Sequence, residues 1–212
     1  MDVLKKFAAA LLLFLLFAPV GAHAAIGRAD AKRIWEKVAA PTELTELPFI
    51  IKEENTPNAW VTNGESVTVT TGLLALLETE AELYAVFGHE AGHVKLNHLQ
   101  KSASKSAGLS VAAGLLSQIF GNGIGNVAVN VGANLINSGW SREQEIEADD
   151  YSVALAAANK EDPVGMYSAI SRLAQVNNTQ PSGFNSHPPD DRRLEHIKKT
   201  ILKIKPDAEF PN

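Results

Sequence analysis

Residues 79–100 carry the strongest constraint on the fold, because they contain the pattern HEAGH at residues 89–93. An α-helix turns about 100° per residue, so two residues four apart lie only about 40° from each other around its axis. The imidazoles of His89 and His93 therefore project from one face of a predicted helix, as in helical zinc sites. Glu90 lies beside a metal held by those two rings, where a general base for an attacking water is expected. This segment predicts half of a metal site.

Composition limits what can complete that site. The 212-residue chain is 45% hydrophobic and 20% charged, which is typical of a globular protein that buries a core. It contains no cysteine, so disulfides, thiolate metal sites and cysteine nucleophiles are excluded. Any metal must be held by histidine or carboxylate side chains. The net charge of -5 argues against nucleic acid as a main partner.

The first 24 residues have the pattern of a signal peptide. A basic start is followed by an apolar run over residues 7–20 and by the small-x-small sequence Ala22-His23-Ala24. The apolar run is shorter than the roughly 20 residues that span a bilayer. We therefore expect cleavage after Ala24, export to a bacterial periplasm, and one mature domain over residues 25–212.

The next part of the mature chain predicts a small sheet ahead of the HEAGH helix. Residues 48–54 resemble a strand, and residues 59–62 and 65–70 flank Asn63-Gly64, a strong hairpin signal. We predict an antiparallel sheet and an α+β, mostly helical fold. The hairpin has two interpretations: a scaffold, or an exposed edge strand that pairs with an extended peptide lying across the metal.

Residues 101–139 differ in composition from the rest of the chain. They are rich in Gly, Ala, Ser and Asn, and residues 121–123 mark a turn between candidate helices over 106–120 and 124–137. We interpret this segment as a helical insertion that packs as a hairpin or covers the site. The alternative is a surface that contacts the envelope membrane or a hydrophobic partner.

A second long helix, over residues 141–159, supplies candidates for the missing ligand. Glu145 and Asp149 are four residues apart, so either can reach the metal while the other lies one turn away. The more distant carboxylate would accept the outer N–H of a ligand histidine. Glu147 points about 200° away from Glu145 and is a poor ligand if Glu145 is one. Two further helices are predicted over 162–176 and 190–204.

Three motifs occur in order: HEAGH, SREQEIEAD at residues 141–149 and SHPPDDR at residues 186–192. Together they resemble the family of zinc endopeptidases that includes HtpX and the CAAX prenyl endopeptidases (metallopeptidase family 48, gluzincin clan). The resemblance covers roughly residues 45–200. It implies a zincin-like core and one zinc ion per chain. Membrane members of the family have transmembrane helices around this core, whereas this sequence resembles the small exported type.

The resemblance also implies roles for individual residues. His89 and His93 would bind zinc, and Glu90 would be the catalytic base. Glu145 would be the third ligand, and Asp149 would orient a ligand histidine, His89.

The roles of three other residues stay open or rest on helix geometry. His187 either caps and packs its loop, or acts at the metal by donating to the developing oxyanion or by occupying the open zinc position. Arg193 either pairs with the Glu145 helix or binds a substrate carbonyl. His98 follows His89 by nine residues, about 180° around a continuous helix, and is interpreted as structural.

The expected function is an exported zinc metalloendopeptidase that hydrolyses peptide bonds of envelope or misfolded proteins. The alternatives are a chaperone-like holdase or adaptor, and a zinc hydrolase of a substrate other than protein.

Overall fold

A computed structural model of the chain describes residues 25–62, 65–102, 140–177, 187 and 190–211. Several predictions fall outside this part of the chain. They are the signal peptide over 1–24, the turn at Asn63-Gly64, nearly all of the insertion over 101–139, and the loop around His187.

The described residues form a mostly helical α+β fold, as predicted. No helix among them is both long and apolar enough to cross a membrane. In chain order the elements are α1 (Arg28–Thr42), β1 (Phe49–Lys52), β2 (Ala59–Thr62), β3 (Ser66–Thr70), α2 (Thr71–Leu76), α3 (Glu80–Lys95), α4 (Arg142–Ala158), α5 (Val164–Asn177) and α6 (Asp191–Ile204).

The three strands form one sheet in the order β1-β3-β2. Strands β2 and β3 are the expected antiparallel hairpin, but β1 pairs with β3 in parallel, so the prediction of an antiparallel sheet is wrong for this strand. The reason is that β3 lies between β1 and β2, and these two outer strands run in opposite directions. The Thr70 hydroxyl donates to the carbonyl of Thr56 (2.8 Å), and the Thr71 hydroxyl donates to that of Glu54 (3.1 Å), which fixes the connection that separates β1 from β2.

Helix α3 occupies the centre of the fold and packs against α1, α4, α5 and β2. It begins with a capping box, in which the Thr79 hydroxyl accepts from the Glu82 amide and the Glu82 carboxylate accepts from the Thr79 amide. The ring of Phe87 lies edge-to-face against the rings of Trp35 (5.8 Å) and Phe49 (5.7 Å). Burial of the apolar side chains of α3 anchors the helix that carries HEAGH.

Two glycines let α3 and α4 approach closely. A Cβ at Gly88 would lie 2.9 Å from the Ser152 hydroxyl, and one at Gly92 would lie 3.3 Å from the Cα of Ala148. The Ser152 hydroxyl also donates to the backbone carbonyl of Ala85 across the same contact (2.7 Å). This close packing brings the acidic residues of α4 to the histidines of α3.

Helix α3 stops earlier than the pattern suggested. Its last residue is Lys95, and Asn97 adopts a left-handed backbone conformation with φ of 55°, which asparagine tolerates better than most residues. Residues 98–102 are helical again. The angular spacing of residues in α3 therefore does not extend to His98. The predicted position of His98 on the side opposite His89 is wrong.

Candidate metal centre

Four buried side chains converge at the junction of α3 and α4. His89 and His93 come from α3, Glu145 comes from α4, and His187 precedes α6. The two Nε2 atoms of His89 and His93 are 3.0 Å apart, and Nδ1 of His187 is 3.2 Å from Nε2 of His89. Oε1 of Glu145 lies 2.9 Å from Nδ1 of His187. One ligand atom from each residue lies within 4.8 Å of all the others.

This arrangement fits a metal ion better than it fits a hydrogen-bond network. Each of the three rings turns a nitrogen toward the same point, and three such nitrogens cannot all be satisfied by sharing protons among themselves. Zinc–nitrogen bonds of about 2.0–2.1 Å in a tetrahedral site place neighbouring ligand atoms roughly 3.3 Å apart. The observed spacings are close to that value. Nitrogen and carboxylate oxygen donors are also the types that zinc prefers when thiolates are absent.

The two carboxylates that the sequence left as alternatives lie at different distances from the cluster. Glu145 belongs to it, whereas Asp149 lies behind His89, with Oδ1 at 2.8 Å from Nδ1 of that ring. A carboxylate accepts hydrogen bonds, so Nδ1 of His89 carries the proton. Nε2 of His89 is then left with a free lone pair that faces the cluster.

Arg193 links these carboxylates to His187. Its guanidinium binds both oxygens of Asp149 (2.7 and 2.8 Å), and Nη1 lies 2.7 Å from Oε2 of Glu145. It also donates to the backbone carbonyl of His187 (3.1 Å). Burial alone would raise the pKa of Asp149, but the charge of Arg193 outweighs it and lowers that pKa. Of the two interpretations of Arg193, the pairing with the Glu145 helix is the one observed.

Glu90 lies beside the cluster rather than in it. Its Oε1 is 3.6 Å from Nε2 of His187, and the backbone of Val61 in β2 hydrogen-bonds to its carboxylate. Burial raises the pKa of Glu90, although the nearby His187 and His89 act in the opposite direction. A raised pKa means that this carboxyl group holds a proton more readily than an exposed one, which suits a group that accepts a proton and then delivers it.

The sequence reasoning did not predict the contacts of three side chains near His93. The ring of Trp140 stacks on His93 at 4.5 Å with an interplanar angle of 20°. Nδ1 of His98 lies 2.9 Å from Nδ1 of His93, and Nε2 of His98 lies 3.0 Å from Oε2 of Glu147. The available signal was Asn97, a residue type that permits the left-handed turn returning His98 to the site.

Comparisons with known proteins agree with this geometry. Residues 26–201 match the family model described as Peptidase family M48. The chain belongs to peptidase family M48. The resemblance inferred from the three motifs is therefore confirmed.

Several named proteins are similar to this chain over most of its length. Metalloprotease LoiP of Escherichia coli (strain K12) is 35% identical over 66% of this chain and 57% of its own length. Metalloprotease YcaL of the same organism is 32% identical, over 70% of this chain and 59% of its own length. A putative beta-barrel assembly-enhancing protease of Vibrio cholerae is 31% identical, over 76% of this chain and 37% of its own length. The chain thus spans less than two thirds of these relatives.

Proposed function

We propose that the chain is a zinc metalloendopeptidase that holds one zinc ion through His89, His93 and Glu145. The observation that carries the proposal is the convergence of buried donor atoms within 4.8 Å of one another. Membership of family M48 and the names of two relatives, which are called metalloproteases, support it. A zincin-like core is part of the same proposal.

The chemistry divides between the metal and Glu90. Bound zinc supplies a Lewis acid that polarises the scissile carbonyl and lowers the pKa of water. Glu90 accepts the proton of the attacking water and delivers it to the leaving amine. Asp149 holds His89 in the tautomer that can bind the ion, and Arg193 holds Asp149.

His187 acts, in this proposal, as a fourth ligand that closes the resting site. A catalytic zinc site needs three protein ligands and one open position. Nδ1 of His187 lies among the other donor atoms, 2.9 Å from Glu145 and 3.2 Å from His89. Among the interpretations of this residue, occupation of the open position has more support than donation to the oxyanion. His187 must then leave before substrate can bind.

The edge of the sheet is the proposed binding surface for the peptide. In the described residues, β2 pairs with β3 on one side only, and its Val61 backbone contacts Glu90. An extended peptide that adds to this edge would pass beside both the base and the metal ligands. This supports the interpretation of the hairpin as a substrate edge as well as a scaffold.

Location and substrate complete the proposal. Residues 1–24 direct export, and residues 25–212 form one peptidase domain in the periplasm. Its substrates are misfolded or envelope proteins, in keeping with the name of the Vibrio cholerae relative, a putative beta-barrel assembly-enhancing protease. In this proposal the 101–139 segment packs as a helical hairpin or covers the site, and contact with the membrane or a membrane protein is the alternative.

The test of activity uses purified residues 25–212 with casein, with and without a chelator. We expect cleavage that the chelator stops and added zinc restores. Glu90→Gln should bind zinc with unchanged stoichiometry and lose cleavage. Peptidase activity retained by this variant would refute the proposed base. Binding of casein without cleavage would favour a holdase, and the absence of both would favour a hydrolase of another substrate.

Two further variants test the ligands. Glu145→Ala should weaken zinc binding strongly, and Glu145→Ala combined with His187→Ala should lose zinc, because the two histidines of α3 alone cannot hold the ion. His187→Ala should keep zinc and cleave casein at least as fast as the unchanged protein. If this variant retains zinc but loses cleavage, His187 acts on the oxyanion and the closed resting site is wrong.

A further inference from the structure

His98 lies between the candidate ligand His93 and the acidic residue Glu147. The His98 side chain is fully buried, with one ring nitrogen 2.9 Å from Nδ1 of His93 and the other 3.0 Å from Oε2 of Glu147. Glu147 is about half exposed and also lies 3.6 Å from Nζ of Lys101. These contacts form a series of hydrogen bonds from the surface of α4 to the candidate metal centre.

The positions of the protons along this series of hydrogen bonds follow from Glu147, at its surface end. A carboxylate only accepts hydrogen bonds, so Nε2 of His98 must carry a proton to bind Glu147. In a neutral ring, Nδ1 of His98 is then an acceptor, and the proton shared with His93 belongs to Nδ1 of His93. Nε2 of His93 is therefore left with the lone pair that a metal needs. The opposite tautomer of His98 would donate to His93 and place the proton of His93 on Nε2, where it blocks metal binding.

We propose that Glu147 and His98 are positioning residues that together hold His93 in its metal-binding tautomer. The inference rests on the zinc site proposed above and assigns a function to two residues outside the ligand set. Neither residue touches the substrate or the metal. Their effect reaches the ion only through the ring of His93.

The surrounding contacts separate this function from simple support of the backbone. Nε2 of Gln144 donates to the backbone carbonyl of His98 (3.0 Å) and to the hydroxyl of Ser102 (2.9 Å). The segment that carries His98 is thus fastened to α4 without using the His98 ring. The ring itself is free to specify the proton position of His93, whose plane is fixed by stacking on Trp140.

The test measures the zinc affinity of the metal-free protein by competition with a chromophoric chelator. We expect His98→Leu to weaken zinc binding about 10- to 100-fold, the usual cost of losing a partner of a ligand histidine. His98→Asn should recover most of the affinity, because its carboxamide oxygen can accept the proton of His93. Thermal melting of each metal-free variant checks that the fold is intact.

Glu147→Ala is the second variant in this test of zinc affinity. The residue is exposed, so its replacement leaves the core unchanged. We expect a loss of up to about tenfold in zinc affinity. The matched control is Glu143→Ala, which removes an exposed acidic side chain one turn earlier on the same helix. This control should bind zinc like the unchanged protein, which would exclude a general effect of net charge.

A double-variant cycle decides whether Glu147 acts through His98. In the His98→Asn background, Glu147→Ala should cost nothing further, because the orienting hydrogen bond to Nε2 no longer exists. An equal loss in both backgrounds would overturn the inference, as would unchanged affinity in His98→Leu. Two-bond ¹H–¹⁵N spectra of the zinc-loaded protein should show His98 as the Nε2–H tautomer, and the Nδ1–H form would refute it. If the unchanged protein binds no zinc, the proposed function fails instead.

Discussion

The two histidines of α3 differ in the residues that hydrogen-bond to the ring nitrogen facing away from the candidate metal centre. We call each such set of residues the support of that histidine. His89 donates to Asp149, a carboxylate with no exposed surface whose two oxygens are both bound by the buried guanidinium of Arg193. His93 contacts a second histidine, His98, which in turn meets a carboxylate that is half exposed. One support is a closed ion pair in the core, and the other ends in solvent.

The difference indicates how the two supports contribute to the molecule. Buried charges interact strongly but depend on one another, since removal of one partner strands the other in a medium of low polarity. An exposed carboxylate exchanges its partner for water at little cost in free energy. The His89 side should therefore contribute to both folding and metal binding, whereas the His93 side should contribute to metal binding alone.

The largest expected effect comes from breaking the buried support. Arg193→Met should lower the free energy of unfolding of the metal-free protein by about 3–5 kcal/mol, because Asp149 and Glu145 lose their common cation. The measurement is the midpoint and slope of urea unfolding. Lys101→Met is the matched control, since it removes a cation from the exposed support and should change stability by less than about 0.5 kcal/mol. Similar losses in both variants would contradict the comparison.

A second experiment compares the carboxylates through zinc affinity. Asp149→Asn retains an oxygen that can accept a hydrogen bond from His89 but loses the negative charge that orients the His89 ring. We expect the zinc affinity to fall about 10- to 100-fold. Glu147→Ala should fall at the lower end of that range or below it. Competition with a chelator measures both values on the same scale. A larger loss for Glu147→Ala would show that exposure is a poor guide to the strength of these supports.

The sequence predicted the buried support more completely than the exposed one. Glu145 and Asp149 are four residues apart on a helix with a clear capping residue, Ser141, so helical periodicity placed both on the face toward α3. Periodicity failed at His98, because it assumes a continuous helix and the left-handed turn at Asn97 ends that continuity. A single residue's backbone conformation changed which side chains meet.

The sheet and the position of His187 show the same limit. The hairpin signal predicted the pairing of β2 with β3, which depends on neighbouring residues, but the parallel partner of β3 is set by a connection held through Thr70 and Thr71. His187 was noted as a candidate in the sequence, yet its proximity to Glu145 depends on long-range packing. Local patterns indicate elements, and tertiary contacts decide their partners.

A third experiment perturbs both supports together. A Cβ added at Gly92 would lie only 3.3 Å from the Cα and the backbone oxygen of Ala148, and Gly92→Val adds two methyl groups beyond that Cβ. Overpacking of this kind costs about 1–3 kcal/mol and should move α4, with Asp149 and Glu147, away from α3. Ala154→Val, on the exposed face of α4, is the control for a β-branched residue in a helix. Zinc affinity unchanged in Gly92→Val would mean that the supports tolerate helix separation.

The smallest expected effect lies outside both supports. Burial raises the pKa of Tyr84, near the start of α3, to about 12. The unfolded chain releases this proton near pH 10, so the free energy of unfolding should fall as the pH rises from about 10 to about 12. Tyr84→Phe should reduce that decline and leave zinc affinity at neutral pH unchanged. Urea unfolding of the metal-free proteins at pH 9 and pH 11 measures the difference. If the variant and the unchanged protein lose equal stability, the alkaline decline arises elsewhere and Tyr84 does not contribute to it.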